Sequence, residues 1–162
     1  MSDGTAGASG GSITLFAFGT LMDEDVLAIV GDRAPGTFAT EPASVSGRAR
    51  RAVRDDHYPV LVRAPDESVD GLLIHDIDAV ALERIAFFEG EEFALEPIRV
   101  TGERSGELVA MHFAHTDRKP IDEAAWTLEG WQASTKPDTL LRIRRYMSHF
   151  GVLSVAEADA YW

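Results

Sequence analysis

Apolar positions along this chain come in short bursts whose spacing changes from one burst to the next. Residues 13–18 (Ile13, Leu15, Phe16, Ala17 and Phe18 around Thr14) form a run rich in β-formers and predict a buried strand. Gly19-Thr20 breaks the run. Asp23 then stands where a helix N-cap belongs, Val26, Leu27, Ile29 and Val30 follow at helical spacing, and Gly31 supplies a stop. The opening therefore reads as strand, tight turn, helix. Residues 32–44, with Pro35, Gly36 and Pro42, read as a loop, and residues 45–53, 58–63 and 69–74 as three strands separated by polar turns. Val69-Asp70-Gly71-Leu72-Leu73-Ile74 alternates imperfectly, which predicts burial on both faces.

A second helix is predicted over 78–88. Asp78 begins it, Leu82, Ile85 and Phe88 form its apolar stripe, and Gly90 ends it. Residues 95–101 and 107–114 pattern as a hairpin across Glu103-Arg104-Ser105-Gly106. From Asp122 onward the pattern is helical. Pro137 and Asp138 open a last helix with Leu140, Leu141, Ile143, Tyr146, Met147 and Phe150 as its apolar positions. These aromatics, with Trp126 and Trp131, are assigned to core or docking surface. The order β-α-β-β-β-α-β-β-α-α predicts an α+β domain with a mixed, strongly curved or closed sheet. It lacks the regular βα alternation of a doubly wound fold.

Composition narrows this picture. A chain of 162 residues that is 45% hydrophobic makes about one domain with one real core. Residues 1–12 are small and polar and read as a flexible tail, leaving 13–162 as a single domain with 122–162 as a helical extension. No apolar run approaches the ~18 residues of a membrane span. The start lacks the basic and apolar regions of a signal peptide, so a cytoplasmic protein without a membrane partner is expected. There are no cysteines, which excludes disulfides, thiolate metal sites and a cysteine nucleophile. The net charge of −12 makes nucleic acid an unexpected partner. Arg48, Arg50, Arg51 and Arg54 form the one cationic cluster. They are expected to be exposed and paired with Asp55, Asp56 or acidic groups elsewhere, the alternative being a rim that attracts an anionic substrate. Oligomeric state is left open.

Two segments carry candidate chemistry. In Phe16-Ala17-Phe18-Gly19-Thr20-Leu21, a strand ending in glycine before a helix exposes several backbone N–H groups to one place, which favours an anion, and Thr20 adds a hydroxyl. The same turn also suits a purely structural role. In Phe88-Glu89-Gly90-Glu91-Glu92-Phe93, Glu89 lies at a helix C-terminus, beside Phe87, Phe88 and Phe93 and near Glu91 and Glu92. The helix dipole, desolvation and like charge all push its carboxyl pKa upward, the tuning of a general acid/base near neutral pH. The bland alternative is a solvated acidic turn, to which Glu91 and Glu92 are assigned. His112 and His115 are three apart on a strand and fall on opposite faces, so no metal site is expected there. His57, His75 and His149 are isolated, and no Ser-His-Asp set stands out.

Taken together with Tyr58-Pro59-Val60-Leu61, Val69-Asp70-Gly71-Leu72 and Ile98-Arg99-Val100, these segments resemble the γ-glutamylcyclotransferase-like superfamily, closest to its avirulence-induced-gene-like branch. The resemblance covers about residues 13–114. It implies a small mixed, strongly curved β-barrel with flanking helices. It also implies a small-molecule substrate, a γ-glutamyl amide closed to 5-oxoproline with release of an amine or amino acid. Glu89 matches the family's acid/base. Phe18, Gly19, Thr20 and Leu21 match its substrate-binding turn, with the strand end at Phe16 and Ala17 in the same stretch and Phe93 at the position after the Glu-Gly block. No metal or organic cofactor is implied. Three positions depart from the family pattern: Phe18 and Phe93 replace tyrosines, and Ala86 replaces an aspartate. These departures imply a more apolar pocket or a different acyl-amine substrate. Two other readings follow: a non-catalytic small-acid-binding or regulatory module on the same scaffold, and a protein interface built on Trp126 and Trp131.

Overall fold

The computed structural model describes residues 12–54, 58–91, 93–115 and 121–162. Most of the expected tail, together with Asp55, Asp56, His57 and Glu92, lies outside the described residues. The chain opens with strand β1 (Ile13–Ala17), a 3-10 turn (Thr20–Met22) and helix α1 (Glu24–Gly31). Strands β2 (Ala39–Val53) and β3 (Pro59–Ile77) and helix α2 (Ala79–Glu89) follow. Next come the hairpin β4 (Phe93–Gly102) and β5 (Gly106–His115) and strand β6 (Ile121–Ala125). Helices α3 (Leu128–Ser134), α4 (Lys136–Met147) and α5 (Val155–Ala158) and a 3-10 turn (Asp159–Tyr161) complete the order.

The α+β expectation holds: one curved, mixed sheet is flanked by helices. Its strand order is β3-β1-β5-β4-β2-β6, and β2 also pairs with β3, so hydrogen bonding returns to the strand where the order began. β1 is antiparallel to β3, with Phe16 opposite Leu73 and Ala17 opposite Leu72, and parallel to β5. Its alternate side chains enter two different cores. Leu15 and Ala17 join the helix-covered cluster with Val26, Val30, Ile85 and Ile143. Phe16, with Phe18 just beyond the strand, joins a cluster drawn from the strands, with Val45, Leu73, Ile98 and Val100. Burial on both faces explains why the strand reads as a continuous apolar run.

Four expectations need correction. The loop expected over 32–44 gives way to β2 at Ala39, because pairing with β3 reaches back to Ala39 opposite His75. The two strands expected at 58–63 and 69–74 are one long strand. Its partners jump from Arg48–Arg63 to Ser46–Ser68, so the polar segment between is a bulge in an exposed stretch rather than a turn. Residues 121–125 are a strand, not the start of the helical extension. β6 pairs with β2, with Arg51 opposite Ala125, and that ladder overrides the helical propensity of Ala124 and Ala125. The helix at Pro137 is not the last, since a capping box of Ser154 and Glu157 starts α5. Trp126 and Trp131 are buried within the chain, which removes the support for a tryptophan interface. Among the described residues, no helix is long and apolar enough to cross a membrane.

Candidate active site

The turn after β1 is built by packing from three separate parts of the chain. The Met22 N–H donates to the Gly19 carbonyl at 3.0 Å and the Asp23 N–H to the Thr20 carbonyl at 2.9 Å. The first N–H groups of such a turn have no acceptor within it. A Cβ at Gly19 would lie 3.1 Å from the Pro59 ring, so the proline seats directly on the turn. A Cβ at Gly71 would lie 2.5 Å from the Ala17 carbonyl oxygen and 2.6 Å from the Phe16 ring. The Phe-Gly-Thr, Tyr-Pro and Val-Asp-Gly signals are therefore one packed unit. Asp23 locks it from the other side. Its carboxylate caps α1 through the Asp25 and Val26 N–H groups and accepts from Gln132 and Lys136, each at 2.9 Å. Burial alone would raise the Asp23 carboxyl, but Lys136, Gln132 and the Val26 N–H together hold it below its usual value.

Glu89 is the last residue of α2, whose start is capped by Asp78 accepting from the Ala81 N–H at 2.8 Å. Among the described residues, no hydrogen bond or ion pair engages its carboxylate. The side chain opens to a cavity but is otherwise densely enclosed, and this desolvation raises its pKa to about 8. The upward direction matches expectation, but the cause is narrower: burial dominates, and Glu91 points to solvent.

One cavity of about 600 Å³ is lined by Phe16, Ala17, Phe18, Gly19, Thr20 and Leu21 on one side. Glu89 and Phe93 line it as well, so all eight expected site residues border the same space. The Phe18 ring itself packs 6.4 Å from Phe16 and 6.3 Å from His112 in the strand-built core, so this position offers its backbone more than its side chain. Phe93 stands edge-on to Tyr58 at 5.6 Å.

The sequence reading missed the far wall. Thr139, Arg142 and Tyr146 of α4 line the cavity, with Asp159 and Trp162 beyond them. The sequence assigns Tyr146 to core or docking surface. Its hydroxyl donates to the Phe87 carbonyl at 2.7 Å, and its ring lies 4.8 Å from that of Phe87, fixing the end of α2 that carries Glu89. The 139, 142, 146 spacing places the three on one helix face, but spacing cannot say what that face meets. None of the four clustered arginines lines the cavity among the described residues. Arg51 pairs with Glu67 at 3.2 Å, while Arg50 donates to the Asp70 carbonyl and lies 5.9 Å from the Trp126 ring. His112 is buried and bonded to the Glu96 carbonyl at 3.0 Å.

A family described as Gamma-glutamyl cyclotransferase, AIG2-like, matches residues 15–133. The chain belongs to this family. AIG2-like protein A of Arabidopsis thaliana is 23% identical over 135 residues, covering 82% of this chain and 80% of that protein. The solution structure of an Arabidopsis thaliana protein has a TM-score of 0.62 at 21% identity, over 86% of this chain and 84% of the other. A solved gamma-glutamyl cyclotransferase has a TM-score of 0.55 at 10% identity, over 93% and 86%. At these identities the structures establish the shared fold. Family membership supports a cyclotransferase-like enzyme. The matched segment holds Glu89 and the turn but stops before Thr139, Arg142, Tyr146, Asp159 and Trp162.

Proposed function

We propose that this AIG2-like protein cyclises a γ-glutamyl amide to 5-oxoproline and releases a free amine or amino acid. The observation that supports this reading is an unpaired carboxylate of raised pKa, Glu89, bordering the same cavity as the backbone turn at 18–21. Glu89 takes a proton from the substrate's α-ammonium. The freed amine attacks the γ-carbonyl carbon and closes a five-membered ring. Negative charge on the carbonyl oxygen is met by N–H groups of the turn, with the Thr20 hydroxyl beside them. The ring nitrogen gives up its second proton to solvent, and the bond to the leaving nitrogen breaks as Glu89 returns the first. Every atom of the products comes from the substrate, and both reacting groups sit on one molecule, so proximity supplies much of the acceleration.

The raised pKa suits this cycle. An empty cavity keeps Glu89 largely protonated at neutral pH. An entering α-ammonium supplies the opposite charge that favours ionisation, which makes the carboxylate a base in the presence of its substrate. Phe16, Ala17 and Phe93 shape the γ-glutamyl end of the space in this scheme. The test is 5-oxoproline and amine release from a panel of γ-glutamyl amines and dipeptides. Release by the wild-type protein that is lost in Glu89→Gln is expected. Equal activity in the variant would sink the mechanism, and binding without release across the panel would favour the non-catalytic small-acid module.

A further inference from the structure

A polar cluster outside the cavity joins three strands. Thr14 of β1, His75 of β3 and Glu41 of β2 each stand two residues from a member of the strand-built core: Phe16, Leu73 and Ala43. By strand alternation their side chains meet at one end of that core. His75 Nε2 lies 2.6 Å from Glu41 Oε2, and His75 Nδ1 lies 3.3 Å from the Thr14 hydroxyl. Glu41 is buried and accepts from the Arg104 N–H at 2.7 Å, the Ser105 N–H at 3.0 Å and the Ser105 hydroxyl at 2.5 Å. The Ser105 hydroxyl, the Arg104 N–H and His75 pull the Glu41 carboxyl down to about 2, so at neutral pH it is ionised and only accepts. The hydrogen between it and His75 therefore sits on Nε2. A neutral His75 ring then turns its Nδ1 lone pair to Thr14, whose hydroxyl donates. Hydroxyl, imidazole and buried carboxylate follow in the order of a nucleophile, its general base and the group that fixes the base's tautomer. Thr14 and Glu41 lie 61 and 34 residues from His75 in the chain, so no local motif shows the set. The His75 side chain is 22% exposed and Thr14 is half-buried, so a small reagent can reach the pair.

We propose that Thr14 is a nucleophilic hydroxyl, activated by His75 and Glu41, that accepts the acyl group of an activated carboxylic ester. Thr14 Oγ1 attacks the acyl carbon as its proton passes to His75 Nδ1. The donor's ester C–O bond breaks, the departing oxygen takes that proton, and the acyl group stays on Thr14 as an ester. Water attacking the same carbon, with His75 again as base, releases the carboxylic acid and restores the hydroxyl. This activity is separate from the one proposed for Glu89, since Thr14, Glu41 and His75 do not border that cavity. A cluster that only fastened the 103–106 turn would need Glu41 and its donors, but not a hydroxyl on the far side of the imidazole.

The test treats the full chain with p-nitrophenyl acetate near neutral pH and follows nitrophenol release together with peptide mass spectrometry. Wild type is expected to gain acetyl on Thr14 about 100-fold faster than on its other threonines, the lower range of general-base assistance. Removal by hydroxylamine separates that ester from amides on lysines. Thr14→Ser should keep the label and Thr14→Val should lose it. His75→Gln keeps an N–H for Glu41 but offers no base, so labelling should slow by about 100-fold. Thr14 labelled no faster than the other threonines, equal labelling in His75→Gln, or label on Ser105 in place of Thr14 overturns the proposal. If His75→Gln does not fold, the ratio between Thr14 and the other threonines in wild type decides alone.

Discussion

The two walls of the cavity are made differently. The inner wall joins β1, the Gly19 turn and the end of α2, and it is packed backbone against backbone and ring. Pro59 touches Gly19, and Phe16 and Ala17 touch Gly71. The outer wall is one face of α4 and the Trp162 indole, polar and partly exposed, held on through Asp23 and Tyr146. A wall that aligns reacting atoms tolerates little displacement, because misplacement by about 1 Å can cost ~100-fold in rate. A wall away from the reacting atoms can vary while the chemistry stays. That difference fits the family match, which includes the first wall and ends before the second.

The largest expected effect comes from removing the proposed proton carrier. Glu89→Gln should lower kcat by about 10²–10⁴-fold, the usual contribution of a positioned acid/base. The wild-type kcat/KM should show an ascending limb near pH 8, from ionisation of Glu89 in the free protein, and the variant's residual rate should lack it. The same variant should also be more stable. Between the ordinary carboxyl pKa and about 8, the unfolded chain releases this proton and the folded protein keeps it, so stability falls as pH rises through that window. Glutamine removes that loss. Its Tm advantage over wild type should be small at pH 5 and widen toward pH 8, reaching a few degrees, with each kcal/mol worth about 2–4 °C. A constant Tm difference across this range would show that Glu89 titrates normally.

Gly71→Ala tests whether the inner wall is as tight as its contacts suggest. The added methyl meets a backbone oxygen, which cannot swing away, so a loss of about 1–3 kcal/mol in urea unfolding is expected, together with lower kcat. A neutral substitution would show slack between β1 and β3. Asp23→Ala reaches the turn from the outer side. It removes a helix cap and the bonds from Gln132 and Lys136, for an expected loss of about 2 kcal/mol in the same measurement. The smallest change is Tyr146→Phe. It keeps the ring and deletes one hydrogen bond to Phe87, so stability should fall by about 1 kcal/mol. Because that bond fixes the end of α2, kcat should fall more than KM rises. The opposite split would place Tyr146 with substrate reading rather than with the alignment of Glu89.

Much of the inner wall was legible in the sequence, for a physical reason. A doubly buried strand, a glycine break and an Asp cap are local features, and each is written into consecutive residues. Ile13 to Phe18, Asp23 and Asp78 were readable in this way, as were the hairpin turning near Gly106 and the position of Glu89 at the end of its helix. The failures share one cause. β6 was read as helix because its alanines favour helix locally, while β2 offered a distant edge to pair with. The polar segment 64–68 was read as a turn because proline and acidic residues usually make turns, while the long β2–β3 ladder carried it as a bulge.

By itself, the sequence determined which short elements form, where the turn and its carboxylate partner lie along the chain, and that the molecule is acidic and free of cysteine. Only the tertiary structure decided that Gly19 meets Pro59 and Ala17 meets Gly71, that Glu89 is desolvated without a partner among the described residues, and that one face of α4 closes the cavity with Arg142. Helix caps and apolar runs are properties of neighbours in the chain. Close approach, desolvation and the choice of which helix face meets a pocket depend on segments far apart in the chain, and no local pattern encodes them.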